Sequence, residues 1–294
     1  MSRRNKTVGE AWREGKARLM AAGKESCAFE AELLLEKAAG LSRTAFFLQA
    51  EQQLSDEAAE AYEALLRQRE AGRPVQYLLG EWEFMGLPFA VGEGVLIPRE
   101  DTEVLVETIL ERQAAEGLEK ILDIGTGSGC IPISLGRYGS FTDLLAVDIS
   151  PQALAYAEKN AMKNQVAVRL YESDLFSGLP EIWRGKLDGI VSNPPYIPAK
   201  EIAGLMTEVR EFEPRNALDG GEDGLDYYRA IIQEGRDWLR AGGWLFFEIG
   251  YDQGEAVQQL FREFGYERIE LRQDLAGLDR VVFAQKAEGE GKNV

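Results

Sequence analysis

Apolar positions change period twice along the 294 residues. Over residues 1–75 they recur at helical spacing. Thr7-Val8-Gly9-Glu10 has the spacing of a capping box and opens a helix toward Met20. Phe29, Leu33 and Leu34, extended by Leu35 and Ala38, form an apolar stripe. Ser55 can cap a third major helix through Ala71, ending at Gly72. Ala45-Phe46-Phe47-Leu48 reads as a short apolar turn or helix between them. The pattern predicts a small N-terminal helical bundle.

Residues 76–97 alternate instead. Glu81-Trp82-Glu83-Phe84, a turn at Met85-Gly86 and Leu87-Pro88-Phe89-Ala90-Val91 predict a hairpin linker, with Pro88 restricted to an edge. From 98 to 286, strand-length apolar runs alternate with helical patterns. The strands are expected at Lys120–Ile124, Leu144–Val147, Val166–Tyr171, Leu187–Ser192, Trp244–Ile249, Arg268–Leu271 and Val281–Ala284. Helices are expected between them, for example Gln152–Met162 and Leu225–Leu239, with Ser150-Pro151 as N-cap and first-turn proline. Such alternation predicts an α/β domain with a mostly parallel sheet and helices on both faces. The connection Gln273–Leu278 is too short for a parallel crossover, so the last two strands must be antiparallel. The polar residues 287–294 are expected to be a disordered tail.

Charge separates the two parts. Residues 1–75 hold 12 basic and 12 acidic residues, the remainder 21 and 38, so the whole net charge of −17 falls on the second part. A fold this acidic lacks the broad basic surface that holds nucleic acid. The chain has no histidine. That removes the Ser-His-Asp triad, the Cys-His dyad and His-ligated zinc. Cys27 and Cys130 are far apart with no CxxC partner, which excludes a disulfide framework or cysteine-rich metal site. Both read as buried small hydrophobes, and no metal is expected. The start, Met1-Ser2-Arg3-Arg4-Asn5-Lys6, has no apolar region behind its charges, and no run approaches the roughly 20 apolar residues of a membrane span. A cytoplasmic protein without membrane contact is expected.

Two motifs carry chemistry. Ile121-Leu122-Asp123-Ile124-Gly125-Thr126-Gly127-Ser128-Gly129-Cys130 follows a buried strand and opens a helix. Glycines there permit a sharp turn and close approach of a ligand. Asp148 ends the next strand, where an acidic side chain can accept hydrogen bonds from ribose hydroxyls. The spacing is GxGxG, with Cys130 where a dinucleotide loop has its third glycine, and no lysine follows as in a P-loop. It resembles the S-adenosyl-L-methionine (SAM) loop of class I methyltransferases. In that resemblance Asp174, after the third strand, faces the adenine amino group and Leu175 lines the ring.

The second motif, Asn193-Pro194-Pro195-Tyr196, ends the fourth strand beside the glycine loop. A nitrogen conjugated to an sp² carbon is a poor nucleophile because its lone pair is delocalised. Two acceptors aimed at its N–H groups draw positive character to the protein side and orient the lone pair. The Asn193 side-chain oxygen and the Pro194 carbonyl can be those acceptors. Prolines fix φ and carry no N–H, so the frame is stiff, and Tyr196 can stack on a planar amide or base. Positioning and fixed dipoles would then carry catalysis without histidine. The motif fits adenine N6, guanine N2 and a glutamine amide alike.

Taken together, the chain resembles the HemK-type protein-(glutamine-N5) methyltransferases that modify peptide chain release factors. The resemblance rests on Ile97-Pro98-Arg99-Glu100-Asp101-Thr102-Glu103, the glycine loop and Asn193-Pro194-Pro195-Tyr196-Ile197-Pro198. It also covers Phe212-Glu213-Pro214, Ala217–Leu225, Glu248-Ile249-Gly250 and Asp274 through Arg280. It implies a class I SAM-dependent methyltransferase, Rossmann-like with a seven-stranded mostly parallel sheet over 98–286, behind a substrate-recognition bundle over 1–75. It implies SAM as cofactor, S-adenosyl-L-homocysteine as product, and a monomer whose partner is a class I release factor, with the glutamine of its Gly-Gly-Gln motif as target. It further implies SAM contacts from Gly125, Thr126, Gly127, Ser128, Gly129, Asp148, Asp174, Leu175 and Asn193. The glutamine would be held by Asn193, Pro194, Pro195 and Tyr196, with Asn193, Pro194 and Tyr196 catalytic. Leu175 departs from the tryptophan of many members. The alternatives are glutamine methylation of a ribosomal protein, amino methylation of adenine or guanine in nucleic acid, and a SAM-binding adaptor without catalysis.

Overall fold

A computed structural model describes residues 6–288. The expected tail, from residue 289 on, lies outside the described residues. In chain order the elements are α1 (Val8–Ala21), α2 (Cys27–Ala39), α3 (Arg43–Leu48), α4 (Asp56–Glu70), α5 (Val75–Leu79), β1 (Glu81–Phe84), β2 (Leu87–Ala90), α6 (Asp101–Glu116), β3 (Lys120–Ile124) and α7 (Cys130–Tyr138). They continue with β4 (Asp143–Asp148), α8 (Pro151–Asn164), β5 (Arg169–Glu172), β6 (Leu187–Ser192), α9 (Thr207–Phe212), α10 (Asp226–Trp238), β7 (Leu239–Glu248), α11 (Gly254–Glu263), β8 (Tyr266–Gln273) and β9 (Asp279–Lys286). The chain forms two compact units. One contains the residues up to Glu81 together with Met206–Phe212; the other contains Trp82–Leu205 and the residues from Glu213 on.

The first unit is helical. Thr7 and Glu10 form the reciprocal capping box of α1, and Ser42 and Ser55 cap α3 and α4 through their hydroxyls. The buried face of α2 is Cys27, Glu30, Ala31, Leu34 and Leu35, so the stripe is rotated from the one expected: Phe29 is 45% exposed. The reason lies outside the helix. Glu30 can be buried because Arg69 of α4 forks onto it, at 2.7 and 2.9 Å, and Glu208 of α9 takes a further Arg69 nitrogen at 2.6 Å. An acidic residue thus sits on the face that periodicity alone assigns to apolar ones.

The second unit begins with the β1–β2 hairpin and holds a seven-stranded sheet in the order β5-β4-β3-β6-β7-β9-β8. Neighbours from β5 to β7 are parallel; β9 runs antiparallel between β7 and β8. This is the mostly parallel sheet expected from the alternation, with the antiparallel final pair and the seven strands that the resemblance implies. β5 is shorter than expected and starts at Arg169. Alternate side chains of each strand enter two apolar layers. Leu122, Ile190, Leu245 and Phe247 face α10 and α11, whereas Ile121, Val191, Trp244 and Phe246 face α6 and α7. This parity matters at the carboxyl ends of the strands. It turns Asp123, Asn193 and Glu248 toward the α6 side.

Candidate active site

The carboxyl ends of β3, β4 and β6 open onto one cleft. Gly125, Thr126, Gly127, Ser128, Asp148, Asp174, Leu175, Asn193, Pro194 and Pro195 all line it. Two expected site residues do not. Tyr196 lines an adjoining groove with Pro198, Leu225 and Gln253. Gly129 is the left-handed N-cap of α7 (φ +79°), and a Cβ there would lie 3.2 Å from the Ala157 backbone. Its lack of a side chain serves helix packing.

The loop is not a phosphate cradle. Gly125 and Thr126 donate their N–H groups to the Val147 carbonyl, and Gly127 donates to Asp148 Oδ2 at 2.9 Å. N–H groups turned inward in this way cannot form an anion nest. Asp148 also accepts from Ser150 N at 2.9 Å through Oδ1, so both oxygens are oriented by backbone while the side chain lines the cleft. Beneath the loop, Asp123 is fully buried and neither carboxyl oxygen has a hydrogen-bond partner among the described residues. Burial pushes its carboxyl up to about 7, and the Asp148 charge adds to it. Orphaned acidic oxygens beneath a loop without basic side chains suit a cationic, hydroxyl-bearing ligand. SAM, a sulfonium with an ammonium and a ribose, fits that donor set. Asn160, wholly buried, secures the loop by donating to the Ser128 carbonyl at 2.8 Å while pairing with both backbone groups of Ala90. Leu175 has φ +50°, a strained turn fixed by Ser173, whose hydroxyl donates to the Leu175 carbonyl and accepts from Gly178 N, each at 2.8 Å.

Asn193 follows β6, whose last residue Ser192 is in register with Phe247 of β7. Glu248 is therefore its lateral neighbour. The Asn193 amide donates through Nδ2 to Thr102 Oγ1 at 3.2 Å, from the first turn of α6. Glu248 is 1% exposed, and burial pushes its carboxyl up to about 7 against the nearby Thr102 hydroxyl, Arg280 and the Asn193 amide. Thr102, with the Glu248 carboxyl nearby, thus takes the amino end of Asn193 and leaves its oxygen for other partners. Neither was assigned a role from the sequence. The signal was present in Trp244-Leu245-Phe246-Phe247-Glu248, where a lone acidic residue ends an apolar run. Tyr196 is half-buried, with its phenol pushed up to about 12 by burial. Cys130 lines the cleft, but burial pushes its thiol up to about 12, so it stays a neutral thiol. No group of His, Cys, Asp and Glu among the described residues could hold a metal ion. No helix among them is long and apolar enough to cross a membrane.

Comparison with known proteins agrees with this architecture. Residues 10–80 match the family model described as the PrmC N-terminal domain, and residues 100–210 match the methyltransferase small domain. A solved methyltransferase from Pyrococcus furiosus shares the fold, with a TM-score of 0.53 at 19% identity, covering 69% of this chain and 91% of that one. The release factor glutamine methyltransferase of Geobacter sulfurreducens is 44% identical over 260 residues, 88% of this chain and 90% of its own length. That of Moorella thermoacetica is 45% identical over 285 residues, 96% and 99% of the two chains. With such identity sustained through both units, the chain belongs to the release factor glutamine methyltransferases, a family of SAM-dependent enzymes.

Proposed function

We propose that this protein transfers a methyl group from SAM to the side-chain nitrogen, N5, of the glutamine in the Gly-Gly-Gln motif of class I release factors. The observation that carries the reading is the orientation of Asn193, whose amino end is taken by Thr102 so that its oxygen is left to accept from a substrate N–H. When bound, SAM supplies an electrophilic methyl on a positively charged sulfur, with S-adenosyl-L-homocysteine as the product. Asp148 would accept from the ribose hydroxyls, and Gly125 through Ser128 would let the cofactor approach the backbone. Asp174 would meet the adenine amino group, with Leu175 against the ring. Gly129 would act on the loop only through helix packing.

The chain's own residues then do two things. The Asn193 oxygen and the Pro194 carbonyl accept the two amide N–H groups, which concentrates the nitrogen lone pair on the face turned to the cofactor. The two prolines hold that pair of acceptors rigid, so no reorganisation is needed during transfer. Tyr196 and Pro195 shape the slot around the planar amide. As the N–C bond forms, the nitrogen gives up one proton, which passes to solvent. The enzyme would act as a monomer. The acidic second unit supports a protein rather than a nucleic acid substrate.

The test is mass spectrometry after incubating the protein with SAM and, separately, a class I release factor, ribosomal proteins, DNA and ribosomal RNA. One methyl group on the glutamine of the Gly-Gly-Gln peptide is expected. Methyl transfer to another of these acceptors, with none to the release factor, would refute the reading.

A further inference from the structure

We propose that Gln253 is a positioning residue for the Asn193–Tyr196 segment, acting together with the glycine-rich loop 217–225 as a clamp. Gln253 is the N-cap residue of α11 and is 8% exposed. Its amide bridges in both directions. Nε2 donates to the Tyr196 carbonyl at 3.0 Å and to the Gly224 carbonyl at 3.4 Å. Oε1 accepts from Gly250 N at 3.0 Å, just past the end of β7, and lies 3.4 Å from the Tyr228 hydroxyl. One buried side chain thus fastens the peptide after Tyr196 to the strand that also carries Glu248.

The second half of the clamp is backbone. Ile197 donates to the Leu218 carbonyl at 3.0 Å, Gly220 to the Ile197 carbonyl at 2.9 Å and Ala199 to the Gly221 carbonyl at 2.8 Å. Contacts this close leave no room for side chains. A Cβ on Gly220 would lie 2.8 Å from the Pro195 carbonyl oxygen and equally close to Tyr196 Cα. One on Gly224 (φ +78°) would lie 2.4 Å from the Tyr196 oxygen and 2.8 Å from Gln253 Nε2. These two glycines therefore let the loop press directly on the Pro195 and Tyr196 peptides, while Gln253 holds the latter from the other element. Two prolines stiffen a segment internally but do not anchor it. The clamp supplies the anchor, and through it the direction in which the acceptors upstream of Tyr196 point.

For its kinetic readout the inference rests on the proposed methyl transfer, so the test has a second readout that needs no substrate. Gln253→Glu keeps an acceptor for Gly250 N and removes the donor to Tyr196; Gln253→Met removes both. In the full-length variants, deuterium uptake at the amides of Ile197, Ala199 and Gly220 should accelerate about tenfold or more, with β3 unchanged. Single-turnover transfer to the release factor at saturating SAM should fall about tenfold or more, with SAM affinity and the KM for release factor unchanged. Combining either variant with Asn193→Ala should add no further loss, because both act on one segment. Wild-type uptake at these amides in both variants overturns the inference, whatever the substrate proves to be. So does an unchanged single-turnover rate, or losses that multiply with Asn193→Ala, in an enzyme that methylates the release factor. If the wild-type chain does not methylate it, the proposed function fails and exchange alone decides the role of Gln253.

Discussion

Replacing Asn193 tests the site most sharply, because two substitutions should fail in different ways. Asn193→Ala deletes one of the two acceptors proposed for the target amide. A preorganised polar group at a reacting centre is worth about 10²–10³ in rate, or about 3–4 kcal/mol, so single-turnover transfer should be nearly abolished. Asn193→Asp keeps the shape and an oxygen toward the substrate, but places a carboxyl beside Thr102 and Glu248. Two carboxylates about 4 Å apart repel by about 4 kcal/mol at the effective dielectric of a protein site. That corresponds to about three pKa units, and Glu248 is already raised to about 7 by burial. The pair therefore holds one proton through neutral pH. While it does, the introduced carboxyl can direct its hydroxyl to Thr102 and behave as asparagine does. Once the proton leaves, both charges compete for the Thr102 hydroxyl and the acceptor loses its orientation. The Asp variant should thus keep reduced activity through neutral pH that falls only as pH rises well above it. The assay is single-turnover methyl transfer at saturating SAM and release factor across that range. A near-wild-type rate for Asn193→Ala, or a pH profile for Asn193→Asp parallel to that of the wild type, would refute the hydrogen-bonding role.

Thr102→Val, which removes the acceptor for the Asn193 amino end, should slow single-turnover transfer and leave a buried N–H unpaired at a cost of about 1–3 kcal/mol of stability, whereas Thr102→Ser should retain activity; equal rates for both would show that Thr102 does not orient Asn193. Asp148→Ala should weaken SAM binding at least about tenfold by calorimetry in a folded protein, and unchanged affinity would remove Asp148 from the cofactor site. For Glu248 the folded state holds a proton that the unfolded state has released. Its contribution to stability is full below about pH 4.5 and is lost as pH rises through about 7, on the order of 3 kcal/mol in all. Glu248→Gln should therefore flatten the decline in melting temperature between about pH 5 and about pH 8, and an identical slope would contradict its burial as a titrating group. Arg69→Ala strands Glu30 without its partner and should destabilise the helical unit by about 3–5 kcal/mol in denaturant unfolding; a loss below about 1 kcal/mol would mean the pair is solvated.

Local features were legible in the chain itself. Capping by Thr7, Ser55 and Ser150 depends on residues three positions apart, the αβ alternation predicts the parallel sheet, and the short connection Gln273–Leu278 predicts the antiparallel final pair. The glycine loop, Asp148, Asp174 and Asn193 through Pro195 sit on one cleft because ligand sites in such sheets lie beyond the carboxyl ends of the strands, and each motif directly follows a strand. Pairings across long stretches of chain were not legible. Thr102 stands 91 residues before Asn193, Glu30 39 residues before Arg69, and Gln253 57 residues after Tyr196. Strand order and side-chain parity decide which of these meet, and no local period encodes either. Glu248 and Gln253 therefore read as isolated polar residues at or beyond the end of an apolar strand. Gly220 and Gly224 read as ordinary turns until the Pro195 and Tyr196 carbonyls were found where their side chains would be. Sequence determined which elements form and where the cleft opens, since hydrogen bonds within elements and burial of one face act over a few residues. Only the tertiary structure decided which buried polar groups satisfy one another, because the partner that offsets each desolvation is supplied by a different element.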